Sequence, residues 1–234
     1  MSGDSSMIRH HPDKNQLLEY AAGTLARGPS LVIAAHVQMC ADCRTHYHTL
    51  NSLGGSLLNE SPAQPIQPNA FEHLMTRIDR IVEKNTVKEI KDREPEPLNN
   101  QGPALTNLPR VLQKLLAKNP ARKWRKVSRS LQVCRVRTGQ RDYEVAFHHL
   151  RSGAKLPEHD HRGQEFAVVL HGSFSDHNGI YGPGDFVFRE PGQVHRPIAT
   201  QDKDCLCFSA VGAPVAITGI RGLLLNPLIP FRPG

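Results

Sequence analysis

The chain is poor in aromatic residues and has no long hydrophobic run. One tryptophan and 6% aromatics in 234 residues leave little with which to stack nucleic-acid bases. The most apolar stretch, Leu206 to Ile220, is interrupted by Ser209, Gly212, Pro214 and Gly219. It reads as core strands and a turn, not as a bilayer span. Met1 to His11 contains no apolar h-region, so no secretory signal is expected. Cysteine is scarce as well. Five residues, an odd number, do not make a disulfide framework, and two of them have the spacing of metal ligands. The expected setting is reducing and cytoplasmic.

Acidic residues are missing from one band. Between Arg110 and Lys155 there are 13 Lys or Arg against only Asp142 and Glu144, and the net charge of +7 divides into −1 over residues 1–84 and +8 over residues 85–234. Such a band attracts nucleic acid or an acidic protein surface. Its aromatics (Trp124, Tyr143, Phe147) are too sparse for a stacking platform. It is read as a solvated face, with no direct nucleic-acid binding expected.

What is present divides the chain in two. The first third has helical periodicity. Asp13 to Gln16 has the form of a capping box, followed by Leu17, Leu18, Ala21, Ala22 and Leu25. Gly23 and Gly28 mark possible helix ends, and Pro29 suits the first turn of a second helix that continues from Leu31 to about Met39. A third helix is expected from about Asp42 to Leu58, weakened by Gly54-Gly55. A fourth begins at Asn69, with Phe71, Leu74, Met75, Ile78, Ile81 and Val82 as its apolar residues. Two joints are visible. Asn59 to Pro68 holds three prolines, and Asn85 to Asn107 is polar and carries Pro95, Pro97 and Pro103. The second is the better boundary because nothing in it builds a core. A short helix over Pro109 to Lys118 follows. Beyond Trp124 the pattern is one of short strands separated by Gly153, Gly172, Gly182-Pro183-Gly184 and Pro191-Gly192, which means a sandwich or barrel. The expected fold class is α + β in two domains: a small helical metal-binding unit over 1–84, a linker over 85–107, and an all-β domain over 108–234.

Each half carries a ligand set. In the first, His36-x3-Cys40-x2-Cys43 places a histidine and two cysteines at the end of a helix-like run, where residues four apart lie one above the other. These ligand types suit zinc, which takes four in structural sites. His10, His11, His46 and His48 are the candidates for the fourth. In the second half, His159-x-His161-x3-Glu165 is followed by His195. On a strand His159 and His161 share a side. Glu165 returns to that side after a bend, and His195 comes from a neighbouring strand. Three imidazoles and a carboxylate suit zinc, iron, manganese or nickel. His148, His149, His171 and His177 read as surface histidines. Cys205 and Cys207 share a face of one strand, either as an oxidisable pair or as small core residues. Cys134 reads as core.

The first set, together with Ile8-Arg9-His10-His11, Tyr20-Ala21-Ala22-Gly23-Thr24-Leu25 and Ser30-Leu31-Val32, resembles the zinc-binding anti-sigma domain of the ChrR family. The second set, with its flanking glycines, resembles the two cupin motifs. The second of these departs in the six residues between Gly184 and Pro191. The resemblance covers most of the chain and is weakest in the linker. It implies that His11 is the fourth ligand of the first site, and that the all-β half is a cupin (a jelly-roll barrel) holding zinc on His159, His161, Glu165 and His195. It also raises the case for Cys205 and Cys207 as a redox pair. The implied function is a zinc-dependent anti-sigma factor. It would sequester an extracytoplasmic-function (group IV) sigma factor in a 1:1 complex, with Leu31, Val32, Phe71, Leu74 and Ile78 as possible contacts. Singlet oxygen or an organic hydroperoxide, sensed through the cupin, would release the partner. The alternative is a cupin metalloenzyme, dioxygenase- or isomerase-like, fused to a zinc-binding helical domain. No added general base or substrate-anchoring set supports it, so an enzyme is not expected.

Overall fold

The computed structural model describes residues 8–86, 105–218, 226 and 231–233. The linker expected over 85–107 therefore lies, for its residues 87–104, outside the described residues, as do the last two residues of the Leu206 to Ile220 stretch.

Five helices come first: α1 (Lys14–Ala22), α2 (Arg27–Met39), α3 (Ala41–Glu60), α4 (Ala70–Thr86) and α5 (Arg110–Ala117). The capping box forms as the sequence predicts. The Asp13 side chain accepts from the Gln16 amide at 2.8 Å, and the Asp13 amide donates to the Gln16 side chain at 3.0 Å. Gly23 ends α1 with φ of 72°, so Leu25 lies beyond the helix. Helix α2 opens four residues earlier than Leu31, with Pro29 inside its first turn. Helix α3 runs unbroken through Gly54-Gly55, whose cost of about 1 kcal/mol per glycine relative to alanine is too small to end a 20-residue helix. No described helix is long and apolar enough to cross a membrane.

Twelve strands follow: β1 (Trp124–Lys126), β2 (Leu131–Val136), β3 (Glu144–Leu150), β4 (His159–His161), β5 (Glu165–His171), β6 (Phe174–Asp176), β7 (Gly179–Tyr181), β8 (Phe186–Arg189), β9 (Val194–His195), β10 (Ile198–Ala199), β11 (Cys205–Val211) and β12 (Val215–Ile217). They form one six-stranded sheet in the order β1-β2-β3-β11-β5-β8 and two three-stranded sheets, β10-β6-β7 and β12-β4-β9. Every pairing among them is antiparallel. This is the expected jelly-roll arrangement, with the large sheet as one wall.

The period-two alternation of the wall strands divides its residues between two cores. Leu206, Phe208 and Ala210 of β11, with Phe166 and Val168 of β5, face outward and pack with Val32, Ile33 and Leu112 from the helices. Cys205, Cys207, Ala167 and Val169 face into the barrel. The helices and the outer face of the wall thus share one continuous core. The two approach closely at Gly28, where a Cβ would stand 2.9 Å from Cβ of Tyr143 and 3.2 Å from that of Ala210. Val32, expected as a possible partner contact, is fully buried there. By contrast every described side chain from Phe71 to Ile81 on α4 is exposed.

Candidate metal centres

The first cluster forms where α2 meets α3. His36 lies in the last buried turn of α2. Cys40 is the single residue between the helices and caps α3, its Sγ accepting from the Cys43 amide at 3.5 Å. The N-terminal segment then folds back over this junction. His11 Nδ1 reaches 3.4 Å from Sγ of both Cys40 and Cys43, and the ligand atoms of His11, His36, Cys40 and Cys43 all lie within 4.8 Å of one another. A tetrahedral zinc with bonds of 2.0–2.3 Å has ligand-to-ligand edges of about 3.5 Å. His10 points elsewhere, its ring 4.5 Å from that of Tyr181, and His46 and His48 are exposed.

Two features of this cluster bear on whether it can hold a metal. His36 Nδ1 donates to the Gly184 carbonyl at 2.7 Å, which fixes the tautomer and leaves Nε2 as a bare lone pair. That Nε2 is buried and has no hydrogen-bond partner. Such an atom is costly unless a donor or a cation meets it. Burial also pushes His36 down to about 4, against the opposing Gly184 hydrogen bond, so the ring is neutral. Burial, with Cys40 beside it, pushes the Cys43 thiol up to about 12. A metal ion would reverse that preference, because a coordinated thiol is deprotonated. The set is compatible with zinc.

The second cluster is in the barrel. Strand β4 pairs with β9, which places His159 directly opposite His195. His195 Nε2 stands 3.0 Å from both His159 Nε2 and His161 Nε2, and Glu165 Oε2 is 3.4 Å from His161 Nε2. The rings of His159 and His195 are held from behind. His159 Nδ1 donates to the Pro157 carbonyl at 2.9 Å, and His195 Nδ1 donates to Asp176 Oδ2 at 2.9 Å. With both Nδ1 atoms donating, the two Nε2 atoms face each other as acceptors at 3.0 Å, an arrangement that a shared cation would stabilise. Protonation is disfavoured, since burial pushes both His161 and His195 down to about 4 and lowers His159 too. Burial raises Glu165 against the opposing charges of His159 and Arg189.

Several residues differ from expectation or went unnoticed in the sequence. His148 and His149 are not surface histidines. Ser209 Oγ bonds His148 Nε2 at 2.9 Å inside the barrel, and His149 Nε2 pairs with Asp204 at 2.9 Å. His171 and His177 are exposed as read. Cys205 and Cys207 are buried free thiols whose sulfurs lie 3.6 Å apart, hydrogen-bonded to each other without a disulfide. Their mutual hydrogen bond, then burial, holds the Cys207 thiol well above its ordinary value. Cys134 is core. Asp176 orients His195, and Asp185 accepts the amides of Arg9 and His10 at 2.7 and 3.0 Å. Neither aspartate lies in a ligand motif, and their roles come from strand pairing that sequence spacing does not display.

The fold and the two clusters define a two-part protein, a helical unit with a His2Cys2 group compatible with zinc docked on a histidine-lined barrel. Residues 112–214 match the ChrR cupin-like domain family. The chain is 29% identical over 221 residues to the anti-sigma-E factor ChrR of Cereibacter sphaeroides, covering 94% of this chain and 97% of that one. Its structure is similar to that of ChrR in the crystal structure of Rhodobacter sphaeroides SigE in complex with the anti-sigma ChrR. That match has a TM-score of 0.67 at 27% identity and covers 87% of this chain and 99% of the other. The chain is ChrR-like in both halves, as its motifs indicated.

Proposed function

We propose that this chain is a zinc-dependent anti-sigma factor. It binds an extracytoplasmic-function sigma factor in a 1:1 complex and releases it on an oxidative signal sensed through the barrel. The observation that carries the reading is a surface. Leu53, Leu57 and Leu58 at the end of α3 and Phe71, Leu74, Met75, Ile78 and Ile81 along α4 are all exposed. The α4 residues recur at the spacing of one helix face, and an apolar face of that extent marks a protein-binding site. Whole-length similarity to a regulator that is solved with its sigma factor supports the same reading, and the metalloenzyme alternative is not adopted.

His11, His36, Cys40 and Cys43 would hold one zinc, and His159, His161, Glu165 and His195 a second divalent metal. The first ion would supply folding free energy by tying the N-terminal segment to the α2–α3 junction. The unit over 1–84 presents the partner surface, and the barrel over 108–234 receives the signal. Singlet oxygen or an organic hydroperoxide is the class of signal proposed, with Cys205 and Cys207 as candidate redox groups. Five unpaired thiols accord with a cytoplasmic setting.

The test uses the purified full chain with sigma factors of this class from the same genome. A 1:1 complex that blocks transcription is expected. In His159→Ala/His161→Ala the complex should persist while release by hydroperoxide is lost. A chain that leaves every such sigma factor active sinks the proposal.

A further inference from the structure

The two clusters are joined by an unbroken series of contacts through β7, β8 and the turn that links them. His195 Nδ1 and Arg189 Nη2 donate to the same atom, Asp176 Oδ2, at 2.9 and 2.7 Å. Arg189 Nη2 also bonds the Tyr181 hydroxyl at 3.0 Å. The Tyr181 ring carries His10 on one side, with centroids 4.5 Å apart, and is stacked on Phe174 at 4.9 Å. His10 precedes His11. The turn that follows Tyr181 grips the first cluster a second time. Asp185 Oδ2 accepts the Gly182 amide while its Oδ1 accepts those of Arg9 and His10. The Phe186 amide donates to the His10 carbonyl at 2.9 Å. Gly184 holds His36.

We propose that Asp176, Arg189 and Tyr181 are positioning residues that couple the two metal sites, so that filling the barrel site tightens the His11–His36–Cys40–Cys43 site. This rests on the reading that both clusters bind metal. The members of the series are enclosed: the Asp176 carboxylate has no solvent exposure and the Arg189 side chain only 8%. A buried carboxylate shared by two donors is left under-satisfied when it loses one of them. With a cation on Nε2 of His195, its Nδ1–H becomes the stronger donor to Asp176. The carboxylate then holds Arg189, Arg189 holds the Tyr181 hydroxyl, and the tyrosine ring keeps His10 against β7. When the barrel ligands are damaged or emptied, the series slackens at its origin, and the segment bearing His11 loses one of its two holds. Linkage makes the effect reciprocal: each site strengthens the other by the same factor.

Cobalt(II) separates the two sites, because only the first has thiolates and only thiolate ligands give an intense sulfur-to-cobalt charge-transfer band. Metal-free full-length protein is titrated with cobalt as wild type, His161→Ala, Tyr181→Phe and the double variant, following that band. In the wild-type background, His161→Ala should weaken cobalt binding at the thiolate site by about fivefold or more. In the Tyr181→Phe background, which keeps the ring and removes only the hydroxyl, the same change should cost less than about twofold. His10→Ala, which cuts the series at its far end, should collapse the factor in the same way. An equal factor with and without the Tyr181 hydroxyl, or no effect of His161→Ala in wild type, overturns the proposal. Failure of the underlying reading looks different. Wild type would then show no charge-transfer band, or would bind one cobalt per chain where two are expected, and the coupling would fall with it.

Discussion

His36 donates its Nδ1 proton to the carbonyl of Gly184 across 2.7 Å. A ligand of the helical half is thereby oriented by a turn of the barrel. The bond sets the tautomer of His36, aims its Nε2 at the two cysteines and the His11 ring, and does so only while the helices stay docked on the wall. The geometry of the first site is in this sense a property of both halves.

Gly184 should not tolerate a side chain. Its φ of +91° is unfavourable for any residue with a Cβ, and that atom would meet the end of Ile8. Gly184→Ala is expected to destabilise the chain by about 1–3 kcal/mol and to raise hydrogen exchange at the Arg9 and His10 amides. Chemical denaturation and exchange of the full chain measure both. Wild-type values for the two together would show that the turn is not a hold on the N-terminal segment.

Cys43→Ser should remove one metal per chain and leave the barrel site loaded. Serine offers a poor zinc ligand, and the buried His36 Nε2 then loses the ion that would satisfy it. Metal analysis by mass spectrometry is expected to fall from two ions to one, and the sigma-factor complex to be lost. Full metal content in the variant would rule out Cys43 as a ligand.

Metal-free protein should lose stability as the pH falls from about 6.5 toward 4. Burial is the leading cause that takes His36, His148, His161 and His195 each down to about 4 from the ordinary 6.5. Between those values the unfolded chain binds protons that the folded chain refuses, so protonation favours unfolding. The stabilisation is complete above about pH 6.5 and is lost on acidification. Urea unfolding in chelator at a series of pH values reads the slope, expected to correspond to several protons. A flat profile from pH 7 to pH 5 would contradict the burial of these rings.

Much of this was legible in the sequence because spacing encodes it. His36, Cys40 and Cys43 lie at helix and cap intervals, and His159 and His161 at the strand interval. The strand order, in contrast, is a matter of long-range pairing. Asp176 reaches His195 because β6 and β9 lie near one another in the barrel, and Asp185 reaches Arg9 across 176 positions of sequence. The same holds for His148, which resembles a surface residue beside His149 until β3 is paired with β11 and Ser209 is brought to it. Val32 and Phe71 looked alike as apolar helix residues. Only packing distinguishes them, one at 0% and the other at 69% exposure.

That contrast gives the sharpest test of the partner surface. Phe71 and Ile78 are seven residues apart on α4, two turns along one face, and both are exposed. Replacing exposed residues costs little, within about 0.5 kcal/mol, so Phe71→Ser/Ile78→Ser should keep the melting temperature and metal content of the wild type. If the face is the grip on the sigma factor, two large apolar contacts are lost from it, and such contacts carry about 1–2 kcal/mol or more each. The dissociation constant should then rise by at least about tenfold, measurable by calorimetry with the purified sigma factor. Val32→Ser would behave in the opposite manner, because Val32 lies in the core shared with β11: stability should fall by about 1–3 kcal/mol, and binding would follow only through unfolding. A Phe71→Ser/Ile78→Ser protein that binds as tightly as wild type would move the partner surface away from α4.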